Sequence, residues 1–269
     1  MAGLMISSVL GGQVPRDRVD VVTSPISGQY RAALRFGSAG DFARARQELN
    51  AVLRADPTHT SARFRLRLLD DVDARIIPAG AAVHLFRANR LVEDGGRHED
   101  VIAEIDAGIR LSPRYHEAHR LRGRARVDVG DYRGAIEDYT RAIALDSTNT
   151  SAHLNRATAF FHAGDIARSL GDFAEAIRRE PSNLEAYTTR GVVYAMHDSL
   201  PQAMADFERA IQLDPGLAPA YLNKAKLQED AGRVAYAVQT LKALVRHARP
   251  GYSKMIEYAK GRLKELGGG

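Results

Sequence analysis

His116, Glu117 and His119 fall within one turn of a helix, a spacing from which a divalent metal could draw two imidazoles and a carboxylate. Two other places pair acids, Glu137 with Asp138 and Asp206 with Glu208. General acid–base catalysis needs such groups within hydrogen-bond reach of one substrate. No Gly-rich loop runs into a helix with a following Lys, and no H-E-x-x-H occurs. There is no cysteine, which excludes disulfides, thiol nucleophiles and Cys-based zinc sites. The histidines also have a plainer reading. His119 and His153 are 34 residues apart, and the same step leads to Tyr187 and Tyr221. A site filled in turn by His, His, Tyr and Tyr is an aromatic packing position. The paired acids fall at equivalent places of the same period, so they are expected to be solvated helix faces. His162 and His197, near turns, are expected to be exposed. No enzyme activity, metal or cofactor is expected.

That 34-residue step organises most of the chain. GDYRGAIEDYTRAIALD starts at Gly130, and GDIARSLGDFAEAIRRE starts at Gly164. Related phrases start at Gly40, Gly96, Asp198 and Gly232. Each unit reads as two helices. In Glu117 to Asp146 a first helix ends near Val129, Gly130 permits the turn, and Asp131 caps the second helix. Ala135, Ile136, Tyr139, Ala142 and Ile143 then recur at helical spacing on one apolar face. Small residues recur where helices must approach: Ala33, Gly123, Ala157, Gly191 and Ala225 on first helices, and Ala45, Ala135, Ser169, Ala203 and Ala237 on second helices. Tyr139, Phe173, Phe207 and Leu241 recur where a large side chain must fill the gap. Pro201 fits the first turn of a helix, where its missing N–H costs nothing.

These residues resemble the tetratricopeptide repeat, over about Ser27 to Gly251. The resemblance implies an all-α protein, a right-handed α-solenoid of stacked helix–turn–helix repeats. No such pair buries its apolar face alone, so neighbours must stack. The repeats are expected at 26–59, 82–115, 116–149, 150–183, 184–217 and 218–251. Asn89 departs from the family's small residue, and Arg126 and Gln228 from its aromatic. The last two are expected to pack less well or to be partly exposed. Residues 60–81 break the register, with one helix and then IIPAGAA where a partner helix is due. A kink or hinge is expected at 77–80.

The domain reading follows: an extended or disordered leader over 1–25, an N-terminal repeat plus irregular helix over 26–81, five repeats over 82–251, and a capping helix with a tail over 252–269. In the cap, Met255, Ile256, Ala259, Leu263 and Leu266 share one helical face. The family commonly holds an extended peptide in a concave groove lined by first helices. Alignment to it puts Arg87, Arg90, Arg120, Arg124, Asn155, Thr158, Thr189, Asn223 and Lys226 on groove-facing positions. One subset of the family grips C-terminal carboxylates of acidic chaperone tails with Lys, Arg and Asn. Arg120, Arg124 and Asn155 match that clamp in part, while Glu185 and Thr189 depart from it.

The expected function is therefore a non-enzymatic adaptor that positions a protein or peptide partner, with acidic segments favoured near the arginines. Homo-oligomerisation through the extended-looking VPRDRVDVV at 14–22 is the first alternative. Nucleic-acid binding is the second, prompted by a net charge of +5 and a pI of about 9.5. Acidic residues interrupt the basic ones throughout, which argues against it. No apolar stretch is long enough to span a membrane. The expected compartment is the cytoplasm, or the periplasm had a signal peptide been removed. Abundant Arg and Ala suggest a GC-rich bacterium.

Overall fold

The computed structural model describes residues 25–267. Most of the expected leader, with the 14–22 stretch, lies outside the described residues. Those described form fourteen α-helices and one short 3₁₀ turn. In chain order the helices are α1 (Pro25–Ser38), α2 (Phe42–Ala55), α3 (Thr60–Asp73), α4 (Ala79–Glu93), α5 (His98–Leu111), α6 (His116–Asp128) and α7 (Tyr132–Leu145). There follow α8 (Thr150–His162), α9 (Ile166–Arg179), α10 (Leu184–Met196), α11 (Leu200–Leu213), α12 (Ala218–Asp230), α13 (Val234–His247) and α14 (Ser253–Glu265). They belong to two compact units divided between Ala163 and Gly164.

Local chemistry sets the helix ends. Asp41, Asp131 and Asp165 precede α2, α7 and α9, and each side chain accepts a backbone N–H three residues on, at 2.9–3.1 Å. Asn149 and Asn183 do the same for α8 and α10 at 3.0 and 2.9 Å. Gly130 and Gly232 take positive φ at the turn inside a pair, and Gly164 does so ahead of α9. At the equivalent place Asp198 carries a side chain at φ 55°. Left-handed backbone costs a non-glycine residue roughly 1 kcal/mol. Asp198→Gly should therefore raise stability by about that amount, read as a higher midpoint of denaturant unfolding.

In the N-terminal unit α1 pairs with α2, α4 with α5 and α6 with α7, and α7 packs on α8. Leu34, Leu49, Leu69, Leu85 and Phe86 are fully buried at its core. Tyr139 of α7 lies against Gly123 of α6, where an added Cβ would sit 2.8 Å from the ring. The small and large positions read from the sequence thus meet across one pair. Helix α3 leaves the alternation. It packs on α2, and Phe64 near its start lies by Arg120 while Asp71 near its end receives the Tyr115 hydroxyl at 2.7 Å. It therefore runs antiparallel to α6. Arg75 at φ 58° turns the chain out of α3, and Ile77 is buried before α4 begins.

In the C-terminal unit α10 pairs with α11 and α12 with α13, while α9 packs on α10. Phe207 of α11 fills the space beside Gly191 of α10. Helix α14 covers the last pair. Its Ala259 and Leu263 are buried with Tyr221, Leu241 and Leu244, and Met255, Ile256 and Leu266 pack around them. Its Lys254, Lys260 and Lys264 are exposed. No helix of the described residues is long and apolar enough to cross a membrane.

Candidate peptide-binding surface

The expected groove residues lie on first helices of both units. Arg87, Arg90, Arg120, Arg124, Asn155 and Thr158 belong to the N-terminal unit; Thr189, Asn223 and Lys226 belong to the C-terminal unit.

In the N-terminal unit they divide by what already holds them. Arg87 donates Nε to the Ser38 carbonyl at 3.3 Å, tying α4 to the end of α1. Arg120 is engaged twice over: its Nε donates to Glu117 at 2.8 Å, and its guanidinium lies 4.5 Å from the Phe64 ring centre. With a side chain only 12% exposed, Arg120 serves to seat α3. Thr158 turns its hydroxyl back to the Leu154 carbonyl at 3.1 Å. Three residues are less committed. Arg124 has only a surface pair with Asp128 at 3.5 Å, the kind worth little. Arg90 and Asn155 are half-buried, and neither makes a side-chain hydrogen bond or ion pair among the described residues. They stand on successive first helices, α4, α6 and α8.

In the C-terminal unit Thr189 is buried. Lys226 pairs with Asp230 one turn on. Asn223 buries its Nδ2 with no hydrogen-bond partner among the described residues, a donor left to satisfy.

The paired acids are not all solvated. Glu137 and Glu208 are exposed, as expected, but Asp138 is 2% and Asp206 5% exposed. Asp138 receives Arg122 through Nε at 2.9 Å and a terminal nitrogen at 2.6 Å, and Arg126 at 2.8 Å. Arg122 also reaches Asp106 of α5 at 2.7 Å. Arg190 grips both oxygens of Asp206 at 2.8 Å. The physical reason is that each aspartate faces a first-helix arginine sixteen residues earlier, and a buried carboxylate must be paired. These are internal ties between the helices of a pair. Arg126 is partly exposed, as the departure from an aromatic suggests, and works through Asp138. Gln228 departs from its expectation: it is buried, because the Thr240 hydroxyl donates to its Oε1 at 2.8 Å. Asn89 accepts from Arg65 and donates to the Leu85 carbonyl at 2.6 Å.

The histidines act as packing groups. His119 and His153 are buried. His119 Nε2 lies 2.9 Å from the Pro113 carbonyl, and the Tyr221 hydroxyl donates to the Pro215 carbonyl at 3.2 Å, each six residues back. Imidazole and phenol thus do one job at one repeat position. Asn149 Nδ2 lies 3.2 Å from His116 Nδ1.

Two family models match the chain, "TPR repeat" over 123–164 and "Tetratricopeptide repeat" over 154–218. Solved structures agree with them in fold. The crystal structure of MamA protein is 21% identical, with a TM-score of 0.55, over 66% of this chain and 95% of its own. TTC0263, a thermophilic TPR protein of Thermus thermophilus, is 18% identical, with a TM-score of 0.55, over 68% and 99%. MamA from residue 41 to its end, of Desulfovibrio magneticus RS-1, is 16% identical, with a TM-score of 0.56, over 62% and 94%. No curated protein matches the chain. The fold is an all-α helical-repeat solenoid. Residues 123–218 carry the match to the tetratricopeptide repeat.

Proposed function

We propose that the protein is a non-enzymatic interaction scaffold that holds an extended segment of a partner protein against the first helices of its repeats. The observation that carries this reading is the row Arg90, Arg124 and Asn155, half-buried or lightly paired polar side chains on three successive first helices. Arg90 and Asn155 make no side-chain hydrogen bond among the described residues and Arg124 only a surface pair, so a peptide backbone or carboxylate would satisfy them. Two cations in three favour an acidic segment.

The test follows from the geometry. Arg120 holds Glu117 and Phe64, so changing it would disturb α3 as well as any ligand. Arg90→Glu with Arg124→Glu is the cleaner pair. Affinity capture from the source cell should retain a partner on the native chain and lose it on this variant. The direct affinity should fall by about tenfold or more, since each lost charged contact is worth about 1.5–3 kcal/mol. Equal capture by both chains, with unchanged helical circular dichroism, would remove these residues from the binding surface.

A further inference from the structure

The end of α3 and the start of α6 enclose a cleft of about 340 Å³. Its size falls in the roughly 300–1,000 Å³ range of ligand clefts. Arg67, Asp71 and Ile76 line one side, and Arg114, Tyr115 and His116 the other. The cleft exists because α3 stands outside the repeat register and runs against α6. The expected groove residues contribute nothing to its lining.

Its charge is open to a ligand. Arg67 and Arg114 are exposed, and neither makes an ion pair or side-chain hydrogen bond among the described residues. The surrounding acids are occupied. Asp70 and Asp73 receive the two arms of Arg46 at 2.6 and 2.7 Å. Asp71 accepts the Tyr115 hydroxyl at 2.7 Å. Burial first, and this bond second, push the phenol far above its ordinary range, so it remains the donor. Asp146 accepts the Thr148 N–H and hydroxyl at 3.0 and 2.6 Å, and stands 3.8 Å from His116. Glu117 is held by Arg120. Among the described residues neither guanidinium is ion-paired, although Asp71 shares the cleft and the charge of Arg67 helps to lower the pKa of Asp146. Beside them Ile76 is 62% exposed, the most exposed of the protein's large apolar side chains among the described residues.

Guanidiniums suit planar carboxylates, which they can grip through two parallel bonds. An apolar side chain next to that carboxylate would cover Ile76. We propose that this cleft binds an acidic segment of a partner protein, with an Asp or Glu carboxylate seated between Arg67 and Arg114 and a neighbouring apolar side chain resting on Ile76. The inference rests on the scaffold reading above, but it puts a second contact away from Arg90, Arg124 and Asn155. A partner spanning both would gain avidity from two modest contacts.

The chain has no cysteine, so Ile76→Cys gives one attachment point at the lip of the cleft. A bimane on that sulfur, itself apolar, takes the place of the isoleucine. The full chain is titrated with Gly-Gly-Leu-Glu-Leu-Glu-Leu-Gly-Gly, capped at both ends, and with its Gln counterpart. The Glu peptide should give a saturable change in emission, and the Gln peptide should bind about tenfold more weakly or less. Adding Arg67→Ala and Arg114→Ala should weaken the Glu peptide by about tenfold or more with unchanged circular dichroism, because both side chains are exposed. Arg90→Glu with Arg124→Glu is titrated beside it as the comparison that addresses the first-helix row. Equal binding of the Gln peptide overturns the proposal, as does indifference to loss of the two arginines. A response to inorganic phosphate with none to the Glu peptide also overturns it, in favour of a site for free anions. Sensitivity to Arg90 and Arg124 alone would return the acidic segment to the first helices, sinking the cleft while sparing the scaffold reading.

Discussion

Asp138→Ala is expected to destabilise the N-terminal unit by about 3 kcal/mol, the lower end of the cost of removing one partner from a buried ion pair. Asp138 is 2% exposed and takes charged hydrogen bonds from Arg122 and Arg126. Without it the two guanidiniums are left facing each other. The lower end applies because each keeps something. Arg122 retains Asp106 at 2.7 Å, Arg126 retains the Gly134 carbonyl at 3.0 Å, and their side chains are 20% and 26% exposed. Urea unfolding followed by circular dichroism measures the loss. A change under about 1 kcal/mol would put the pair among ordinary surface bridges.

The same carboxylate gives a pH signature. Burial alone would raise its pKa, but His119, Arg122 and Arg126 outweigh burial and hold it below the ordinary value. A group depressed in the folded state contributes stability that is complete above its unfolded pKa of about 3.9 and disappears as pH falls through the folded value. The stability difference between the native chain and Asp138→Asn should therefore be constant near neutrality and narrow below about pH 4. A difference that widens on acidification would contradict the assignment.

Much of this architecture was legible because the constraint is periodic. Gly130 and Asp131 announce the turn and cap that the structure shows, and Tyr139 meets Gly123 as a small and a large residue must. His119 could be read as a packing residue because Tyr221 fills the equivalent place and reaches the equivalent carbonyl. Asp138 and Asp206 were harder. On the second helix alone an aspartate reads as solvated. The missing signal was a second series in lockstep, Arg122 and Arg190 on first helices against Asp138 and Asp206. Two matched series of opposite charge at one period mark a tie within the repeat. The seating of Arg120 could not be read at all. Its partner Phe64 belongs to α3, and a helix outside the register has no periodic neighbour to predict its packing. The cleft at Arg67 and Arg114 was hidden for the same reason, since only the antiparallel crossing of α3 and α6 creates it.

Phe207→Ala should cost about 3–5 kcal/mol, and it should reverse the sign of a second substitution. Phe207 is 1% exposed in the C-terminal unit, and its ring occupies the place where a Cβ on Gly191 would stand, 2.7 Å from Cε1. Gly191→Ala on the native chain must therefore displace a buried aromatic, an overpacking cost of about 1–3 kcal/mol. Alanine is also the better helix former by about 1 kcal/mol, so the net loss is smaller than the steric cost. Once Phe207→Ala has removed the ring, the clash is gone and the propensity remains. In that background Gly191→Ala should stabilise the protein by roughly 1 kcal/mol. The coupling between the two sites is then the steric term by itself, isolated by a double-mutant cycle of urea midpoints. Ala225 beside Leu241 is the chain's own precedent, with a methyl group on the first helix and a narrower side chain opposite, both buried. Equal effects of Gly191→Ala in the two backgrounds would show that the ring gives way freely. The recurrence of small residues opposite large ones would then reflect helix approach at the backbone rather than a fitted pair.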